Sequence, residues 1–166
     1  MAYESIEVYL TDHLAGATAG VNLVEQAADR HRSDELGEFF AQLATEIKAD
    51  YGTLESLIED LGVDRSATKE ALAEIGSKVA APKFNADGAG NKYLGDFVTL
   101  ETLSIGVEGK RCMWSALKTV VDGYPELGEL DLGELESRAQ DQRSRIEDKR
   151  LEFAPRALAH QVEANA

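Results

Sequence analysis

The chain has 166 residues, enough for one domain with a sizeable core, and its 43% hydrophobic content excludes disordered and collagen-like structure. Its 31 acidic and 17 basic residues give a formal charge of −14. This charge disfavours nucleic acid and anionic membranes as partners, because their phosphate groups would be repelled. There is no signal-peptide pattern at the N-terminus, and no segment approaches the roughly 20 apolar residues of a membrane span. We therefore expect a single cytoplasmic domain, residues 1–166.

The first two predicted helices carry apolar residues at every third or fourth position, as one face of an α-helix does. The first is predicted over about 3–31 and the second over about 34–61, where Gly62 ends it. The link between them is so short that the two helices must form an antiparallel hairpin. Small residues around Gly16 and Gly20 indicate that a neighbouring backbone approaches closely there.

The second half of the chain predicts one short and two long helices, over about 66–81, 93–122 and 131–160. The helix over 93–122 is apolar on two sides, and its second apolar face consists of Val98, Ile105, Cys112 and Ala116. A helix that is apolar over so wide an arc is usually buried on more than one face. This second face therefore predicts a contact with the short helix or with another subunit, and we expect a homodimer.

The connection between the second and third long helices is about thirty residues long and contains the short helix. A connection of that length lets the second antiparallel pair enter from the far end of the first, as in bundles with one crossover. The predicted fold class is all-α, a ferritin-like four-helix bundle with a long crossover containing a short extra helix.

The spacing of the histidines and of the single cysteine does not indicate a nucleophilic site. Cys112 has no histidine within a helical turn, so it is expected to pack in the core rather than act as a nucleophile. His31 and His160 lie near predicted helix ends and are expected to be exposed.

Four polar residues interrupt the apolar seams of the long helices: His13, Asp50, Lys110 and Gln142. With a rise of about 1.5 Å per residue, all four fall at one level of the bundle if the first and fourth long helices run opposite to the other two. This polar layer is either a buried hydrogen-bonded network or a small-molecule pocket in which Lys110 and His13 are the reactive groups. A metal is disfavoured there, because a cation would lie beside Lys110.

A di-metal centre would need other ligands, and its usual signature is absent. Ferritin-like carboxylate proteins bind two metal ions with glutamates and Glu-x-x-His pairs, and no such pair occurs in this sequence. One glutamate is available on each long helix: Glu25, Glu46, Glu101 and Glu147. Their helical phase places them at the edges of the apolar stripes, and Glu147 is followed three residues later by Arg150. Solvated faces with surface ion pairs are the expected role of these glutamates.

Three segments carry a resemblance that spans nearly the whole chain: 10–16 (LTDHLAG), 46–50 (EIKAD) and 103–110 (LSIGVEGK). These motifs include His13, Asp50 and Lys110. They resemble an uncharacterised bacterial family of small ferritin-like four-helix-bundle proteins that lack the Glu-x-x-His metal motifs. The resemblance implies the fold and no established activity.

The sequence therefore favours a protein that is not an enzyme and has no cofactor. The leading hypothesis is a helical bundle that has lost di-metal chemistry and acts by binding or assembly. One alternative is a di-metal carboxylate oxidase or iron-binding protein that uses Glu25, Glu46, Glu101 and Glu147. The other is a small-molecule pocket at the polar layer.

Overall fold

The computed structural model describes residues 4–63 and 92–159, and the long elements in these ranges are all helices. The four long helices are α1 Glu4–Arg30, α2 Gly37–Asp60, α3 Lys92–Lys118 and α4 Leu132–Leu158. Two short 3₁₀ helices, Val121–Gly123 and Pro125–Glu129, link α3 to α4. The all-α prediction is confirmed, since neither described range contains a strand, and the architecture is consistent with a four-helix bundle. The predicted helix at about 66–81 lies outside the described residues.

The turn between α1 and α2 explains why α2 begins at Gly37 rather than near Asp34. The Oδ1 atom of Asp34 accepts a hydrogen bond from the backbone N–H of Leu36 at 3.0 Å, which holds the turn ahead of the helix. Glycine is required at position 37, because a Cβ atom there would lie 2.2 Å from the carbonyl oxygen of His31. The end of α2 agrees with the prediction. Gly62 has a φ of +69° and forms a Schellman motif with the last turn of the helix.

The other helix ends follow equally local signals. α3 ends at Lys118, earlier than the predicted end at 122, because the chain tightens into the 3₁₀ turn Val121–Gly123. α4 begins next to the predicted Asp131, which is its N-cap. The Oδ1 atom of Asp131 accepts a hydrogen bond from the backbone N–H of Glu134 at 2.9 Å.

Side-chain contacts give the directions of the helices. α1 packs against α2 and α3, and α3 packs against α4. The C-terminal end of α1 meets the N-terminal part of α3, where Arg30 donates a hydrogen bond to Thr99 at 3.3 Å. These two helices are therefore antiparallel.

α2 and α4 are also antiparallel. Glu46 pairs with Arg145, whereas Asp50, one turn further along α2, pairs with Arg138, which lies earlier on α4. α1 and α4 thus run in one direction, and α2 and α3 run in the other. The end of α2 and the start of α3 consequently lie at opposite ends of the bundle.

The core fills the space between the four helices with large apolar side chains. Its fully buried members include Leu10, Phe40, Leu43, Leu100, Trp114, Ile146 and Phe153. They come from all four helices at the predicted spacing of three and four, so the hydrophobic pattern of the sequence is realised in one continuous core. Among the described helices, none is long and apolar enough to cross a membrane.

Two expectations about small residues are wrong. Cys112 is exposed, because it belongs to the outward face of α3 and not to the core-facing stripe that contains Met113 and Trp114. A Cβ atom added at Gly16 or Gly20 would meet nothing within 4 Å. Gly16 and Gly20 therefore do not mark a close approach between helices of the described chain.

Candidate functional site

A buried aspartate lies at the centre of the polar residues predicted in the helix seams. Asp50 is only 3% exposed, because α2 places it on the same face as the core residues Ile47 and Leu54. A carboxylate in such a position needs charged or hydrogen-bonding partners, since an unpaired buried charge costs several kcal/mol.

Side chains from α3 and α4 supply these partners. Lys110 of α3 and Arg138 of α4 each donate a hydrogen bond to the Asp50 carboxylate. Gln142, which is fully buried on α4, donates from Nε2 to the carboxylate at 3.1 Å and accepts from Lys110 Nζ at 2.5 Å. We call these four residues the Asp50 network. Because both groups of the Gln142 amide are used, the network links three helices through mutual hydrogen bonds.

The electrostatics of Lys110 reflect two opposed effects. Burial lowers the pKa of the Lys110 ammonium below its ordinary value of 10.5, and the positive charge of Arg138 acts in the same direction. The charge of Asp50 and its hydrogen bond act the opposite way, with a smaller contribution from Glu46. Burial has the largest effect, so Lys110 holds its proton less tightly in the folded chain than in water.

Three of the four predicted polar residues are brought together, and His13 is not. The His13 ring packs edge-on against the Tyr9 ring, with 4.6 Å between centroids, on the partly exposed side of α1. Partial burial lowers the pKa of His13, and Asp12 opposes this shift. None of the hydrogen bonds found in the described ranges joins His13 to the Asp50 network. The prediction failed because position along the helix axis does not fix the direction in which a side chain points.

Arg138 is the member of the network that the sequence analysis missed. It lies four residues before Gln142 on α4, and residues four apart share a helix face. The spacing on α4 could therefore have indicated that Arg138 belongs to the network. Arg138 was missed because its side chain is 36% exposed and reaches the buried carboxylate along the edge of the seam.

The four glutamates proposed as metal ligands point to basic partners instead of converging. Their ion pairs are Glu25–Lys48, Glu46–Arg145, Glu101–Arg150 and Glu147–Arg150. Within the described part of the chain, no group of three or more His, Cys, Asp or Glu side chains could hold a metal ion. A cation placed at Asp50, the buried carboxylate, would meet Lys110 and Arg138 and would be repelled.

His31 is buried rather than exposed, which corrects the prediction. Its Nδ1 atom lies 2.7 Å from Asp34 Oδ2, and its Nε2 atom lies 2.8 Å from Asp96 Oδ1. The ring also packs against Phe40, with 5.5 Å between centroids. These contacts connect the α1–α2 turn to the start of α3, so His31 has a structural role at this end of the bundle. His160 lies outside the described residues.

Comparisons of the chain with protein-family models, curated proteins and solved structures find no match. Function therefore has to be inferred from the geometry of the Asp50 network and from the surfaces of the helices.

Removing the central carboxylate is predicted to destabilise the protein strongly. Asp50→Asn should lower the free energy of unfolding by about 3–5 kcal/mol, because Lys110 and Arg138 would remain close together without their counter-ion. The matched control is Glu25→Gln, which removes a carboxylate from a largely exposed ion pair with Lys48 and should cost about 0–1 kcal/mol. Urea unfolding curves measure both values. Equal losses in the two variants would contradict the central position of Asp50.

The lowered pKa of Lys110 predicts a pH dependence of stability. Between the pKa of Lys110 in the folded chain and its ordinary value of 10.5, the unfolded chain binds more protons than the folded chain. The free energy of unfolding should therefore rise with pH in this window, relative to that of Lys110→Met. Urea unfolding of the two proteins at matched pH values up to about 10.5 tests this. If the free energy of unfolding of the wild type stays constant or falls with pH relative to that of Lys110→Met, burial does not dominate the pKa of Lys110.

Proposed function

We propose that this chain is a ferritin-like four-helix bundle without di-metal chemistry, which acts by binding or assembly rather than by catalysis. The observation that carries the proposal is the Asp50 network. It fills the polar part of the bundle interior with two cations, one carboxylate and one amide, a set with an excess of positive charge that would repel a metal ion.

The directions of the helices support the ferritin-like part of the proposal. Two antiparallel pairs whose second and third long helices run in the same direction require one long crossover, which is the connectivity of ferritin-like bundles. The sequence motifs that resemble small ferritin-like proteins point the same way.

Arginines stand where a di-metal bundle would need histidines. Arg150 follows Glu147 by three residues and binds its carboxylate with Nε at 2.9 Å and Nη2 at 2.7 Å. Arg111 follows Glu108 in the same way, at 3.0 and 2.7 Å. A Glu-x-x-His pair offers two ligands to a cation, whereas these Glu-x-x-Arg pairs neutralise the carboxylate within one helix turn. This counts against the alternative of a di-metal oxidase or iron-binding protein.

The small-molecule pocket is also less favoured. The amine of Lys110 is already bonded to Asp50 and Gln142, and His13 lies apart from them. A reactive site needs at least one group that is free to meet a ligand.

Assembly requires a surface, and the outward face of α3 offers one, with Ile105 69% exposed. The proposal accordingly includes a homodimer through this face. The proposal also places the protein in the cytoplasm, and the acidic charge of the chain supports a protein that does not bind nucleic acid or anionic membranes.

Elemental analysis of protein purified without chelator or metal-affinity resin tests the loss of di-metal chemistry. We expect no stoichiometric iron or manganese, and a melting temperature that neither metal nor EDTA changes, because residues 4–63 and 92–159 hold no carboxylate cluster that is free to bind a cation. About two metal ions per chain, with a melting temperature that falls on chelation, would overturn the proposal.

A further inference from the structure

A histidine bridges two carboxylates at the end of the bundle where α3 begins. The ring of His31 lies in the turn after α1, with Nδ1 2.7 Å from Asp34 Oδ2 and Nε2 2.8 Å from Asp96 Oδ1. Asp34 belongs to the same turn, whereas Asp96 lies near the start of α3. We call these three residues the His31 bridge. Because the His31 side chain is only 11% exposed, the two carboxylates and not bulk water are its hydrogen-bond partners.

The geometry of the His31 bridge requires a hydrogen atom on each ring nitrogen. An ionised carboxylate only accepts hydrogen bonds, so both nitrogens must donate to the oxygens they face. A neutral imidazole has one N–H group, whereas an imidazolium has two. Both distances also fall in the range of about 2.7–2.9 Å that is typical of charge-assisted hydrogen bonds. The bridge is therefore complete only when the ring of His31 is protonated.

Loss of this proton would break the contact with α3. The backbone N–H of Asp34 donates to the carbonyl of His31 at 3.1 Å, and Asp34 Oδ1 accepts from the N–H of Leu36 at 3.0 Å. These bonds hold Asp34 beside the ring, so the one remaining ring N–H is kept by the turn. The other nitrogen would then direct a lone pair at the Asp96 carboxylate, and the two would repel each other.

The charges that surround the His31 bridge do not change over the pH range in which histidine does. The neighbouring elements contribute exposed arginines and exposed carboxylates: Asp29 and Arg30 of α1, Arg32 and Glu35 of the turn, Glu38 of α2 and Arg156 of α4. Side chains of these types keep their charges between about pH 5 and 8, whereas a histidine changes its charge there. Among the described groups at this end, the ring of His31 is thus the one that responds to pH.

We propose that the His31 bridge is a proton-operated latch, which holds the start of α3 on the α1–α2 turn when the ring is charged and releases it when the ring is neutral. This inference goes beyond the proposed binding or assembly function, because it concerns how one end of the bundle responds to pH. The release is local. Arg30 donates a hydrogen bond to Thr99 at 3.3 Å and keeps α1 attached to α3 less than one turn further along. Only the first turn of α3, residues 92–96, is therefore expected to open.

Amide hydrogen exchange of the full chain, followed by NMR between about pH 5.5 and 8.5, tests the latch. Within α3, the N–H groups of residues 96–100 bond to the carbonyls of residues 92–96, so their protection factors report the opening of the first turn. After correction for the effect of pH on intrinsic exchange, these protection factors should fall about tenfold, the size expected for the loss of one charge-assisted hydrogen bond. The fall should follow the change of the His31 ring signals with pH. Residues 108–112, at the centre of α3, should keep their protection.

His31→Gln and His13→Gln form a matched pair of variants. Glutamine carries no charge and has one donor group, so in His31→Gln residues 96–100 should exchange at every pH as they do in the wild type at high pH. The partly exposed ring of His13 lies against Tyr9, outside the bridge, so His13→Gln should keep the wild-type pH dependence. Asp96→Asn removes the charge on the α3 side and should flatten the profile. It tests the latch even if His31→Gln does not fold.

The latch is overturned if residues 96–100 keep their protection while the His31 ring loses its proton, or if the same fall occurs in His31→Gln. It is also overturned if the ring stays in one charge state over the whole range. None of these results changes the expected metal content of the purified protein. Failure of the latch and failure of the proposed function can therefore be told apart.

Discussion

The buried carboxylate of Asp50 is the constraint on which the arrangement of the helices depends. A charge that is 3% exposed is tolerated only if cations and hydrogen-bond donors reach it, and the partners come from α3 and α4. Those partners lie level with Asp50 along the bundle axis only when α2 runs parallel to α3 and antiparallel to α4. The apolar core can tolerate sliding of one helix along another, whereas this network cannot, and it therefore fixes the register of the bundle.

The sequence predicted the members of this network that interrupt an apolar pattern. Asp50, Lys110 and Gln142 each stand where a core residue was expected, so their burial could be inferred from spacing alone. Arg138 was missed because it lies at the edge of the pattern and reaches inward through its long side chain. His13 interrupts a pattern as well, but its ring turns toward Tyr9. His31 was expected to be exposed, because the sequence does not show that Asp34 and Asp96 meet at one end of the bundle.

Ion pairs of the same kind also occupy the outside of the bundle, and they limit which groups remain available to bind another molecule. Glutamates that could have met at a metal are each held by a lysine or arginine of the described chain. The interior and these four glutamates are thus occupied by internal pairing, which is why the proposed function places contact with another molecule on the surface of the bundle.

The most direct measurement of whether the Asp50 network fixes the register of the bundle is to replace all of it at once with apolar residues. The variant Asp50→Leu, Lys110→Met, Arg138→Met, Gln142→Leu should fold, with a free energy of unfolding equal to the wild-type value or above it by about 1–4 kcal/mol. Its helices should no longer be held in one register, so its amide NMR signals should be broadened or doubled relative to those of the wild type. Chemical denaturation and NMR spectra of the same sample test both expectations, and a single set of sharp amide signals would contradict the claim that the network fixes the register.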